Sequence, residues 1–264
     1  MKSCAYCGRS CKPTREHLFP SSFHALLPDL QFNFSGVTKK VFGGEYQIKD
    51  VCRPCNNGPL SALDTYAKEL FTRYFGRFVE ADETVAFEYD LHRLQRWLLK
   101  VSYNTARTDR DAAYTELFEQ FRPYILTGES PPTNVLLYLW LIKPTTAGGH
   151  TVFPEPLRSC RFMMKGNGFD NCLSWHVTLR SYGFLVSIQP DGYAEPDLLE
   201  YVATVSRVLP GVVLRPDANA VTVTTSHVDT HAVYLAHIVK YLQTYLPHLD
   251  EAKVREILMM PPEE

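Results

Sequence analysis

The sequence predicts an α+β protein in which a small N-terminal module packs on a larger mixed domain. Three observations carry that prediction. Two Cys-x-x-Cys pairs, Cys4/Cys7 and Cys52/Cys55, bracket a segment of hairpin character. Apolar residues at helical spacing begin directly after the second pair and return near residue 91. The second half is a series of β-branched, aromatic and leucine runs separated by Gly, Pro, Asn and Asp. The module is read as residues 1–80 and the mixed domain, of open role, as 81–264; residues 80–90 or 126–134 are the weakest places for a boundary.

Taken in order, the first cysteine pair is followed by a loop with Pro13 and Pro20, then by Ser21-Ser22 and a short apolar stretch, Phe23 to Leu27. Gly36–Phe42 and Glu45–Val51 are expected to pair as a hairpin, because Gly43-Gly44 between them permits the positive φ angles of a tight turn. Beyond Asn57-Gly58-Pro59, the residues Leu60, Leu63, Tyr66, Ala67, Leu70, Phe71 and Tyr74 keep a helical period, so a helix starts near Ser61. A second amphipathic helix is predicted from Asp90 to about Arg107, with Leu91, Leu94, Trp97, Leu98 and Val101 on one face. Asn134–Ile142, Arg161–Lys165, Trp175–Leu179, Phe184–Ile188 and Val221–Thr225 read as strands, and His231–Leu246 and Glu251–Met259 as closing helices.

The composition, 264 residues and 45% hydrophobic, supports an ordinary packed core. No apolar run approaches the roughly 18 residues of a membrane span, and the start lacks the apolar core of a secretory signal, so a cytoplasmic protein without a membrane partner is expected. The net charge of −2 divides unevenly. Residues 1–62 carry eight basic groups against four acidic ones, a net of +4, and the remainder carries 19 against 25, a net of −6. A basic module on an acidic body suits a phosphate-facing end with a different task elsewhere; chance scatter explains the split equally well.

The cysteines are the strongest chemical signal. Each pair can place two thiolates on one ion, and two pairs far apart in sequence complete a tetrahedral zinc shell and close the chain between them. In a reducing compartment such pairs hold metal more often than they form disulfides. Cys11 is a less suitable substitute for Cys7, and Cys160 and Cys172 read as small buried apolar residues. Between the pairs lies Glu16-His17, a hard oxygen ligand beside an imidazole, and the second pair runs into Asn56-Asn57.

The pattern Cys-x-x-Cys, Glu-His-x-x-Pro, Cys-x-x-Cys-Asn over roughly residues 1–66 resembles the HNH endonuclease superfamily, with its ββα-metal core, and within it the zinc-bound, Asn-ending branch seen in phage recombination endonucleases. The resemblance implies that Glu16 and Asn56 bind one catalytic divalent cation, Mg²⁺ or Mn²⁺, and that His17 is the general base of phosphodiester hydrolysis. Oxygen ligands suit those ions and thiolates suit zinc, so the two metals would not compete. The sequence departs from the family at its middle asparagine, which orients the histidine; Gln47 or Asp50 stands near that place. Asn56 is alternatively a turn or capping residue, and Asp64 a further ligand or a surface charge.

In the second part, Arg93, Arg96, Lys100 and Arg107 recur at steps of three, four and seven, either as a phosphate track or as a solvated helix face. His227-x-Asp229-x-His231 reads as a helix start, with a second metal site as the less economical alternative, and His24 as structural. The expected function is metal-dependent cleavage of nucleic acid, DNA rather than RNA. A catalytically silent zinc module that binds nucleic acid or a protein is the alternative. By analogy alone, the acidic C-terminal domain could bind a protein partner and make the chain the effector of an antiphage system.

Overall fold

The computed structural model describes residues 2–27, 32–35, 40–43, 45–147, 149–162, 173–189, 195–226 and 228–245. The N-terminal module comprises β1 (Lys2–Ser3), β2 (Ser10–Cys11), β3 (Pro13–His17), α1 (Ser21–Leu26), β4 (Phe32–Ser35), β5 (Lys40–Gly43), β6 (Gln47–Cys52), the single turn α2 (Arg53–Cys55) and helix α3 (Ser61–Leu70). The body follows as β7 (Thr84–Glu88), α4 (Leu91–Thr108), α5 (Ala112–Glu119), α6 (Arg122–Thr127), β8 (Val135–Leu141), β9 (Thr145–Ala147), β10 (His150–Val152), β11 (Leu157–Phe162), β12 (Leu173–Leu179), β13 (Tyr182–Ile188), α7 (Glu195–Val208), β14 (Gly211–Leu214), β15 (Ala220–Thr224) and α8 (Thr230–Tyr245). The expected α+β class holds, and no helix among the described residues is long and apolar enough to cross a membrane.

Helix α4 is the keel of the molecule. Asp90 caps it by accepting from the Arg93 amide at 3.0 Å, and every residue from Trp97 to Ala106 is buried. One side meets the module: Trp97 lies 6.5 Å from the Phe19 ring and 6.1 Å from Phe23, and the Tyr103 hydroxyl donates to Ala5 O at 3.0 Å. The other side meets the sheet, where Thr105 Oγ1 donates to Ser159 Oγ at 2.8 Å. Module, helix and one face of the sheet therefore share a single buried apolar cluster running from Cys4 to Val223. A helix solvated on one side would bury about half its residues, so this extent of burial explains why its polar members must find partners inside the protein.

The sheet is antiparallel in the order β11-β12-β13-β8-β14. α4 lies on one face; on the other, Tyr201, Val205 and Leu209 close over Leu136, Tyr138, Trp140 and Leu185. Burial on both faces is why β8, with the sequence VLLYLWL, and β13 read as continuous apolar runs rather than alternating ones. Trp140 is flanked in register by Gly183 and Gly211. A Cβ on Gly183 would lie 2.4 Å from the indole, so the small residue makes room for the ring.

Several expectations need correction. The predicted hairpin does not form: β5 pairs with β4, whereas β6 pairs with β3. The strand expected at Arg161–Lys165 is Leu157–Phe162 in its described part, and β7, β14, α5, α6 and α7 are elements beyond those expected. Glu251–Met259, Cys172, His227 and Gly44 lie outside the described residues. Asp229 proves to be a helix cap, with Oδ1 accepting from the Ala232 amide at 2.8 Å.

His231, at the start of α8, is buried with both ring nitrogens unpartnered, and burial lowers its pKa to about 4 against an opposing pull from Asp229. The unfolded chain therefore binds more protons between pH 6.5 and about 4, and stability falls as pH drops through that window, by on the order of 3 kcal/mol from this residue. Asp109, raised to about 6 by burial and then by Asp111, acts with the opposite sign over part of the same range. Comparing thermal midpoints of wild type and His231→Gln across pH isolates the histidine: the wild type should lose stability relative to the variant on acidification.

Candidate functional site

The two knuckles are brought together by backbone bonds. In the first, Gly8 takes a φ of +72° and its amide donates to Cys4 O at 2.9 Å, while the Cys4 amide donates to Arg9 O at 2.9 Å. The Ala5 amide then donates to Asp50 O, tying this turn to β6. The second knuckle leaves the end of β6 as α2, with Pro54 in its first turn. As a result the sulfurs of Cys4, Cys7, Cys52 and Cys55 lie within 4.8 Å of one another, Cys7 alone being half-exposed.

The set fits a thiolate-loving ion. Four sulfurs at about 2.3 Å from a tetrahedral zinc would be about 3.8 Å apart, and Cys7 Sγ and Cys52 Sγ are separated by 3.7 Å. Burial opposes ionisation of Cys4, but amide bonds from Cys52, Cys7 and Tyr6 outweigh it and lower the thiol to about 7. Cys11 stands outside the set.

The β3–β6 ladder carries the Glu-His pair. Its register shifts between Thr14 and Glu16, so that Lys49 and Asp50 stand opposite Arg15 alone, Glu16 opposite Ile48 and His17 opposite Gln47. Asn56 braces this irregularity: its amide NH₂ donates to Thr14 Oγ1 at 2.9 Å and to Arg15 O at 2.8 Å. Beyond it, Gly58 breaks the turn at φ −103°, ψ −106° before α3 begins.

Neighbouring strand residues point to opposite faces, and here the two faces differ sharply. His17 is turned outward, with Nε2 2.5 Å from the Glu45 carboxylate and 2.8 Å from the Gln47 amide. Of the two residues expected near the ring, Gln47 is the one that meets it, whereas Asp50 points elsewhere, 3.6 Å from Arg107. Glu45 went unrecognised in the sequence; its separation of two from Gln47 was the available signal.

Glu16 is turned inward, 2% exposed, with Oε1 2.7 Å from Lys100 Nζ and 3.4 Å from the Asn104 amide. The same ammonium donates to both oxygens of Asp64, at 2.6 and 2.7 Å. Burial acts to depress Lys100, but Asp64 and Glu16 outweigh it and hold the ammonium above the ordinary lysine range. Burial lifts the Asp64 carboxyl against the pull of Lys100. Glu16 and Asn56 are therefore engaged with different partners, and as placed they do not fit a divalent cation, because Glu16 already neutralises a lysine.

The expected arginine and lysine stripe is not a surface track. Lys100 is fully buried, and Arg96 donates to Ile125 O and Leu126 O at the end of α6 at 2.9–3.0 Å. Arg107 lies over the Tyr103 and Tyr6 rings, and Arg93 over Tyr66. The module exposes Lys2, Arg9, Lys12, Arg15, Lys49 and Arg53, and the body exposes Arg110, Arg161, Arg207 and Arg215 among its acidic groups. Lys2, Lys12 and Lys49 line a groove of about 500 Å³ beside Cys11 and Pro13.

The chain matches no family model, no curated protein and no solved structure.

Proposed function

We propose that the chain is a zinc-stapled hydrolase of nucleic-acid phosphodiester bonds, DNA before RNA, with His17 as general base. The observation that supports this reading above all is the outward-facing His17–Glu45 pair at the end of β3, in a module whose four cysteines can hold zinc. Glu45 and Gln47 both meet the ring at Nε2 and hold the imidazole in place to take a proton from water. Gln47 flanks the ring, and Asn56 holds the strand that presents it. Glu16 serves no ion in this reading, its carboxylate being occupied by Lys100. Incubating zinc-loaded protein with supercoiled plasmid and with RNA, with Mg²⁺ or Mn²⁺ and with EDTA, tests the reading; intact substrate under every condition overturns it.

A second reading is favoured by one observation, the pairing of Glu16 with Lys100. It makes the chain a silent zinc module that binds nucleic acid without cutting it. Both readings place phosphate on the +4 module. Replacing Lys2, Lys12 and Lys49 together with Ala should weaken duplex binding for all sequences alike and flatten the dependence of log affinity on log salt by about 0.9 for each phosphate no longer neutralised. Anisotropy titrations on labelled duplex measure this, and an unchanged slope would remove the groove from the interface. An antiphage effector role, or a protein partner on the acidic body, rests on analogy and on charge alone.

A further inference from the structure

We infer that Glu16, Asp64, Lys100 and Asn104 form an internal latch in which the Lys100 ammonium is the resident cation, so that Glu16 docks α4 and positions His17 instead of binding a divalent ion. Three observations converge on this. The ammonium sits 2.6–2.7 Å from two carboxylates that come from β3 and α3, and Lys100 itself is fully enclosed. Asn104, one turn further along α4, donates both to Glu16 Oε1 and, at 3.2 Å, to the backbone oxygen of His17. The Asn104 side chain is fixed in turn: its Oδ1 accepts from the Tyr6 hydroxyl at 2.7 Å and from Arg107 at 2.5 Å.

The arrangement has a clear electrostatic logic. A lone buried carboxylate or ammonium carries a large desolvation penalty, and each is tolerable only while the other is present. One lysine here serves two carboxylates, and the partly exposed Asp64 carries the surplus charge toward solvent. Because the three groups come from β3, α3 and α4, the latch closes only when all three elements are docked. It therefore sets the height of the β3 end against α4, and with it the place of the His17 ring. The functional weight of that placement rests on the hydrolase reading; the latch itself does not.

The probe is Mn²⁺ added to zinc-loaded protein and followed by its paramagnetic resonance signal. Wild type should show no Mn²⁺ site that depends on Glu16. Stoichiometric uptake by wild type that disappears in Glu16→Gln would overturn the inference, whatever the outcome of cleavage assays. Lys100→Met should lower the thermal midpoint by on the order of 10 °C, since two carboxylates lose their counter-ion. The double change Glu16→Gln with Lys100→Met should recover part of that loss. A midpoint for Lys100→Met equal to wild type would also overturn it. To separate positioning from mere stability, the His17 ring resonances should shift in folded Glu16→Gln, although Glu45 and Gln47 are untouched; unchanged resonances would remove the positioning role.

Discussion

Removing metal from the four-cysteine site is expected to unfold the N-terminal module outright. Purified protein should carry about one zinc per chain, and Cys52→Ser should release it together with solubility. The reason lies in what the sulfurs join. The first knuckle and the end of β6 meet through Cys4, Cys7, Cys52 and Cys55 together with the Ala5 amide bond to Asp50 O, and the same turn carries Tyr6, whose hydroxyl reaches Asn104 on α4. Losing the ion leaves like-charged or buried thiols at about van der Waals contact and releases both the knuckle and its dock. A segment this small buries too little surface to hold its shape unaided, and structural zinc supplies folding energy on the order of 10 kcal/mol in isolated fingers. Chelation followed by zinc quantification and a thermal scan measures the effect. A metal-free preparation that kept the full unfolding transition would refute the structural role.

How much of this was legible in the sequence varies with the range of the interaction. The knuckle spacing is local chemistry, and the four sulfurs meet as the spacing required. Helix α4 kept its period and began one residue after its Asp90 cap. The hairpin failed for the opposite reason. Gly43-Gly44 is a genuine turn signal, but β6 is claimed by β3, and the Ala5 amide bond to Asp50 O and the cysteine cluster fix that long-range pairing. Local turn chemistry cannot report which distant strand wins. The same limit hid β7 and β14, short strands whose pairing depends on β15 and β8.

At the site, the residue types were legible but the faces were not. Glu16-His17 stands out as a dipeptide, yet strand geometry sends one member inward and the other outward, and the inward one meets a lysine from a helix much later in the chain. The basic stripe failed on the same ground. Spacing alone puts Lys100 in line with Arg93, Arg96 and Arg107, but it cannot reveal that the helix is covered on nearly every side. A cation on such a helix must find an acidic or carbonyl partner within the protein, and each of these four except Arg93, which rests on a tyrosine face, does so.

His17→Ala is expected to abolish cleavage while leaving zinc content and fold intact. The separation is sharp because of where the ring sits. His17 contributes its backbone oxygen to the α4 dock through Asn104, and that bond survives the substitution; its imidazole faces outward to Glu45 and Gln47, away from the core. Surface replacements of this kind usually change stability by no more than about 0.5 kcal/mol, so a folded, zinc-loaded variant should be obtained. Removing a general base typically costs ~10²–10⁴-fold in rate. Glu45→Gln should give a smaller loss, because the base itself remains and only one of the two groups that hold its ring is altered. Single-turnover cleavage of plasmid by the three proteins, with zinc measured on each preparation, orders them. Activity of His17→Ala near wild type would take the base away from His17 and leave the silent, phosphate-binding module as the reading that accounts for the basic face and for Glu16 paired with Lys100.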